Sequence, residues 1–257
     1  PGVWSVTGSP PLSDPHVEIQ DLASQCVGLI CDPKPGESWW DVCAGSGGKS
    51  LHLADLMENN GSILATDIRQ SALEQLRKRA KRAGASIIDS SEHPGEIAKT
   101  PEHVPHHESS SSSSSTRTRM TTRTMPATIK TRGAGSPAHK GFDGVLVDAP
   151  CSGIGTWSRN PDARWRTSAD DVRDRSRIQA ELLRSAADAV RPGGRLVYAV
   201  CTITQAETVD VIESFLRDRT DFTLDPAPHP LTRKTEDGRF WIWPWDGPCD
   251  GMFVARM

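Results

Sequence analysis

The chain has 257 residues, 36% of them hydrophobic, enough for one substantial core and ordinary for one α/β catalytic domain. Its 30 basic and 33 acidic residues leave a net charge of −3, which excludes a global basic field, so any nucleic-acid contact must be local. Six scattered cysteines without a C-x-x-C pair argue against a disulfide framework and for reduced thiols in the cytoplasm, and no apolar run approaches the length of a membrane span.

The chain opens on Pro1 rather than Met, from which a fragment of a longer protein is expected, with 1–257 as a single catalytic domain. After the prolines Pro10, Pro11 and Pro15, the stretch Val17 to Ile30 carries Ile19, Leu22, Cys26 and Leu29 at helical spacing, predicting an amphipathic helix within a lead-in over residues 1–37. Trp39 to Cys43 reads as a buried strand, followed by a glycine turn and a helix through Leu51 and Leu56. Ser62 to Asp67 reads as a second strand. Ser71 and Glu74 form a capping-box pattern opening a helix with Leu73, Leu76, Ala80 and Ala83 inside. A third strand is expected at Ala85 to Ile88.

Residues 90–140 then lose all periodicity and include a serine run from Ser109 to Ser115. Such a composition buries too little apolar surface to offset its ordering entropy, so a disordered insertion is expected. Its histidines His103, His106 and His107 lack paired cysteine ligands, and no metal site is assigned to them. Its basic residues Arg117, Arg119, Arg123, Lys130 and Arg132 read as a solvated linker rather than phosphate contacts.

A fourth strand follows at Gly144 to Asp148, then a long helix with Ile178, Leu182, Leu183, Ala186 and Ala189 on one face, stopped by Pro192, Gly193 and Gly194. Arg195 to Val200 is a fifth strand, Thr204 to Leu216 a further helix, and the tail closes with Phe253 to Arg256. Strands alternating with helices predict an α/β fold with a doubly wound, mainly parallel sheet, whose ligands bind beyond the carboxyl ends of the strands.

That edge holds the segment Cys43-Ala44-Gly45-Ser46-Gly47-Gly48-Lys49 after the first strand and Asp67 after the second. Glycines there let the backbone approach a ligand, and a strand-end carboxylate can accept hydrogen bonds from both ribose hydroxyls of a nucleoside cofactor. On these residues alone the nucleoside could belong to NAD. The fourth strand runs into Asp148-Ala149-Pro150-Cys151 and the fifth into Val200-Cys201, so two thiols stand at neighbouring strand ends. Either one alone reads equally well as a small inert hydrophobe; the pair favours chemistry. Thr204 and Glu207 form a second capping-box pattern, which would place Cys201 near a helix N-terminus that favours its thiolate.

Asp148 to Gly153, Gly155, Asn160-Pro161-Asp162, Trp165 and the strand-end Cys201 resemble the RNA cytosine-C5 methyltransferases of the RsmB/NOP2/Sun type. The likeness extends to Ile19-Gln20-Asp21, Gly47-Gly48-Lys49, Pro192-Gly193-Gly194 and Asp250-Gly251-Met252-Phe253, covering most of the chain outside the serine-rich stretch. The resemblance implies a Rossmann-like methyltransferase domain using S-adenosyl-L-methionine. It implies Cys201 as nucleophile toward C6 of cytosine, Cys151 assisting release, Asp148 between cofactor and base, Lys49 in the active centre, and RNA as partner, ribosomal RNA ahead of transfer RNA.

Some positions depart from that pattern. Gly45 and Ser46 replace the second alanine and the proline of the family's Ala-Ala-Pro-Gly-Gly-Lys loop, and Ala199-Val200 stands where Ser-Thr is common. The acid after the third strand has only Asp89 as a candidate, and Trp157 and Trp165 are expected to pack their loop rather than stack a flipped base. Two other classes compete: a catalytically weak cofactor- or RNA-binding module, and a DNA-type enzyme in which Cys151 would be the nucleophile.

Overall fold

The structure, a computed structural model, describes residues 19–92 and 141–257. The prolines and Val17 at the start, the serine run, the three histidines and the basic stretch lie outside the described residues. In chain order the elements are α1 (Leu22–Cys31), β1 (Ser38–Asp41), α2 (Gly48–Leu56), β2 (Ser62–Asp67), α3 (Gln70–Ala83), β3 (Ile88–Glu92) and β4 (Phe142–Asp148). There follow α4 (Ala163–Arg166), α5 (Ala169–Ala187), β5 (Val190–Val200), α6 (Val209–Asp218), β6 (Ala227–Pro228), β7 (Thr235–Glu236), β8 (Arg239–Ile242) and β9 (Met252–Arg256). Seven strands form one sheet in the order β3-β2-β1-β4-β5-β9-β8, parallel from β3 to β5 and antiparallel at β9 and β8. This is the doubly wound, mainly parallel sheet that the alternation of strands and helices predicts. β6 and β7 form a separate short ribbon.

Successive side chains on a strand face opposite ways, and here helices cover both faces. Trp39, Leu146, Val197 and Val254 pack with α1 and α2 on one side. Trp40, Val145, Val147, Leu196 and Tyr198 pack with α5 and α6 on the other. Each large side chain buried in this way contributes about 1.5–3 kcal/mol, and with both faces covered the centre of β4, Val145-Leu146-Val147, is continuously apolar rather than alternating.

Several boundaries differ from expectation for identifiable reasons. α1 begins at Leu22 because the Asp21 carboxylate accepts from the Ala23 N–H at 2.9 Å and caps the helix there. β1 ends at Asp41, before Val42 and Cys43. The capping box at Ser71 and Glu74 does not form: α3 begins at Gln70, and its N-cap position is held by Arg69, whose N–H donates to Asp67 at 2.8 Å in a local turn. Ser86 and Ile87 are held in a turn by Asn59, so β3 begins only at Ile88 and contains Asp89, exposed within the strand rather than following it. Pro192, Gly193 and Gly194 do not terminate the long helix. They lie inside β5, where the pairing with β4 slips between Phe142 and Gly144 to admit them as a bulge. The helix expected from Thr204 is a single 3₁₀ turn at Gln205–Glu207, and α6 starts at Val209. β8, not foreseen, adds the outer strand.

Candidate active site

β1, β4 and β5 deliver their carboxyl ends side by side, and a cavity of about 510 Å³ opens there. That volume lies within the roughly 300–1,000 Å³ of small-molecule sites. Its walls include Cys43, Ala44, Gly45, Asp67, Asp148 and Lys49, and it reaches both Cys151 and Cys201. Gly45 adopts a left-handed φ of 56° that a side chain would disfavour, and its N–H donates to Asp67 at 2.8 Å. Ser46, Gly47 and Gly48 do not line the cavity. Ser46 accepts two hydrogen bonds from Arg79 on α3, and Gly47 and Gly48 start α2, so these three shape the loop from behind.

Asp67 stands at the end of β2, as expected, with a partner that the sequence did not announce. Arg69 donates to it through its backbone N–H, Nε and Nη2 at 2.8, 3.0 and 3.1 Å. Burial alone would raise this carboxyl; Arg69, with help from Gly45, reverses that and holds it below the ordinary aspartate value. The Arg69 side chain is 65% exposed. A buried carboxylate beside an open glycine loop suits a ribose diol, so the residues present fit a nucleoside cofactor.

At the far end of the cavity the Cys151 and Cys201 sulfurs lie 3.2 Å apart, both half-buried. The hydrogen bond between them holds Cys201 below the ordinary thiol value, and the same bond, with burial, pushes Cys151 well above it. Lys49 Nζ donates to Asp148 Oδ2 at 2.7 Å, with only 13% of the lysine side chain exposed. Burial works against this ammonium, but the Asp148 carboxylate outweighs it and keeps Lys49 charged. The lysine charge also favours the Cys201 thiolate. Helix-terminus assistance from Thr204 and Glu207 is not the source, because one 3₁₀ turn lacks the aligned dipoles of an α-helix.

Glu207 has a different task. Its carboxylate is fully buried and accepts from Ser152 N at 2.8 Å, Ser152 Oγ at 2.5 Å, Gln179 Nε2 at 3.0 Å, Thr202 Oγ1 at 3.2 Å and Thr204 Oγ1 at 2.8 Å. Ser152 and Thr202 each follow one of the paired cysteines, so this one acid ties the two thiol-bearing loops together. Gly155 closes the same junction: a Cβ there would fall 1.9 Å from the Gly251 carbonyl oxygen and 2.9 Å from that of Cys201. Further along the wall Arg159 grips the buried Asp250, donating from Nε to Oδ1 at 2.9 Å.

Asp41, at the end of β1, is fully buried; burial lifts its pKa to about 7 although Ser50 donates to it at 2.6 Å. Trp157 is half-buried, whereas Trp165, expected to pack its loop, is 79% exposed with the Arg164 guanidinium 4.5 Å over its ring. Among the described residues no helix is long and apolar enough to cross a membrane.

A family model described as 16S rRNA methyltransferase RsmB/F matches residues 28–103 and 106–257. The probable ribosomal RNA small subunit methyltransferase B of Bacillus subtilis (strain 168) is 32% identical over 98% of this chain and 50% of its own length. That of Synechocystis sp. is likewise 32% identical, with the same coverage of both chains. The chain thus spans about half the length of the curated relatives it matches. The crystal structure of PH0851 superposes with a TM-score of 0.75 at 31% identity, over 99% of this chain and 50% of that one. NSun6 from Pyrococcus horikoshii with SFG shares the fold at a TM-score of 0.67 and 20% identity, over 99% and 56% of the two chains.

Proposed function

Because this chain belongs to the RsmB/F family of S-adenosylmethionine-dependent RNA methyltransferases, we propose that it methylates C5 of a cytosine in RNA, ribosomal RNA ahead of transfer RNA, through a covalent adduct of Cys201. The observation that supports this reading best is the pair of sulfurs 3.2 Å apart at the end of the cofactor cavity, one favoured as thiolate and the other as thiol. Cys43, Ala44, Gly45 and Lys49 would hold the cofactor from the loop, Asp67 would accept its ribose hydroxyls in place of Arg69, and Asp148 would stand between cofactor and base. When bound, S-adenosylmethionine supplies an electrophilic methyl group.

C5 of cytosine is too electron-poor to take that methyl directly. The Cys201 thiolate adds to C6, forming the S–C6 bond and pushing the C5–C6 electron pair into an enamine whose nucleophilic carbon is C5. Asp148, fixed by Lys49, accepts hydrogen bonds from the polar edge of the base and orients the ring. After methyl transfer the C5 proton must leave; Cys151 relays it, the C6–S bond breaks, and the thiolate returns to Cys201. The target base must be unpaired or flipped for C6 to meet the sulfur face-on.

Incubation of Cys151→Ala and Cys201→Ala proteins with S-adenosylmethionine and small-subunit ribosomal RNA tests the assignment. A denaturation-resistant protein–RNA adduct should accumulate with Cys151→Ala and be absent with Cys201→Ala. The reverse pattern would transfer the nucleophile's role to Cys151 and overturn the reading.

A further inference from the structure

β8 antiparallel to β9, and β9 antiparallel to β5, makes β8 end at the same edge of the sheet as Cys201. Beyond it the chain reads Trp243-Pro244-Trp245. Trp241 lies within β8, the chain then turns at Trp243 to Asp246, where the Asp246 N–H donates to the Trp243 carbonyl at 2.9 Å, and the rings of Trp241, Trp243 and Trp245 form a ladder. Trp241 rests on the buried Phe253 with ring centroids 4.7 Å apart. Trp243 stacks on Trp241 at 5.1 Å and 8°, and Trp245 stacks on Trp243 at 4.9 Å and 6°. The last ring is 75% exposed. A tryptophan anchored on one face by two parallel indoles and presenting the other to solvent is costly to leave wet and ready to stack.

Its location says what it stacks. Of the five large apolar side chains exposed among the described residues, four (Ile68, Trp165, Ile203 and Trp245) follow β2, β4, β5 and β8, all on the edge where the cavity opens. Pro244 lies beside Gly251, between the cavity-lining Asp250 and Met252: a Cβ added to Gly251 would fall 3.5 Å from Pro244 Cδ and 3.2 Å from Gly155 Cα. β8 lies two strands from β5, about 10 Å at a strand spacing of about 4.8 Å, within two or three nucleotides of the target at a stacked rise of about 3.4 Å. Arg164 and Arg166 are exposed on α4, in the connection that leaves β4 at this edge, and make no ion pair among the described residues. Aromatic faces on an edge that also carries exposed guanidinium groups are the chemistry of single-stranded nucleic acid contacts.

We propose that Trp245, backed by Trp243 and Trp241, is a stacking platform for an unpaired nucleobase flanking the target cytosine. This rests on the reading of RNA as substrate and adds a contact that sets which strand conformation is accepted. The test compares the unmodified chain with Trp245→Ala and Trp245→Phe, using a fluorescently labelled, unpaired, cytosine-containing oligoribonucleotide. Equilibrium binding, the KM and kcat of RNA methylation, and the melting temperature are measured. Trp245→Ala should weaken binding and raise KM at least about fivefold, with the loss in KM rather than kcat and the melting temperature retained, and Trp245→Phe should recover most of the affinity.

Methylation with an unchanged KM in Trp245→Ala overturns the platform and leaves the methyltransferase reading intact. Trp245-dependent RNA binding without any methylation keeps the platform and sinks that reading. No RNA binding by the unmodified chain removes both. Loss of self-association in Trp245→Ala with RNA binding unchanged would assign the ring to a second copy of this chain and overturn the proposal.

Discussion

Replacing Glu207 with alanine would strip five donors of their common acceptor. The hydroxyls of Ser152, Thr202 and Thr204 can rotate to other partners, but the Ser152 backbone N–H cannot, and Gln179 retains only the Pro150 carbonyl at 3.0 Å. Leaving a buried donor unsatisfied costs about 1–3 kcal/mol, so the loss of stability should be about 2–5 kcal/mol, read as a shift in urea midpoint. The catalytic effect follows from geometry, because Glu207 fixes the residue after each thiol. Displacement of the sulfurs by about 1 Å would cost about 100-fold in kcat/KM. Glu207→Gln is the informative companion: its amide oxygen can accept from Ser152 N and Gln179, while its NH₂ donates to reoriented hydroxyls, so most stability should return. A pH profile of Cys201 alkylation separates positioning from plain folding. It should move toward the ordinary thiol range in Glu207→Ala, as the contact with Cys151 loosens, and remain low in Glu207→Gln. An unaltered profile and full activity in Glu207→Ala would refute the idea that this acid sets the spacing of the two thiols.

Asp41 supplies a pH signature: with its carboxyl raised to about 7 in the fold and about 3.9 unfolded, its contribution is complete below pH 4 and is lost as pH rises through 7. About 3 units correspond to about 4 kcal/mol, so urea midpoints measured from pH 4 to 8 should fall more steeply for the unmodified chain than for Asp41→Asn, and parallel curves would contradict it. Arg69→Ala should leave cofactor binding as tight or make it up to about fivefold tighter, because an exposed guanidinium worth about 0–1 kcal/mol no longer competes for Asp67; a tenfold loss by calorimetry would mean that Arg69 itself contacts the ligand.

Local pattern carried β2 and the placement of both thiols, because strand-end residues after an apolar run are visible in sequence and the sheet's handed topology brings such ends together. It misled where one residue type serves two ends. Pro192-Gly193-Gly194 punctuates chains as a rule, yet a bulge uses the same residues without leaving the strand. Thr204 and Glu207 have capping-box spacing, but the acid bonds across 55 residues to Ser152, and no local window contains that partner. Arg69 is hidden among the many basic residues of α3, and only its return to Asp67 distinguishes it. β8 did leave a trace, the alternation of buried Phe240 and Ile242 with Trp241 and Trp243, masked by a composition rich in tryptophan.

The proposed division of labour between the cysteines follows from their surroundings more than from their positions on the sheet. Two thiols 3.2 Å apart share one charge cheaply but not two, so the pair is favoured with one proton between its sulfurs. Neighbouring charges decide which sulfur keeps it. The Lys49 ammonium favours charge on Cys201, and together with the bond from Cys151 it prevails there over burial, Asp148 and Asp250. Cys151 has the Glu207 carboxylate among its neighbours, which opposes a second anion. The acid that ties the two thiol-bearing loops together therefore also biases the proton toward Cys151, and the lysine paired with Asp148 biases the charge toward Cys201. These surroundings support the proposed role of Cys201 over the DNA-type alternative at the Pro-Cys position, and the adduct comparison of Cys151→Ala with Cys201→Ala decides between them.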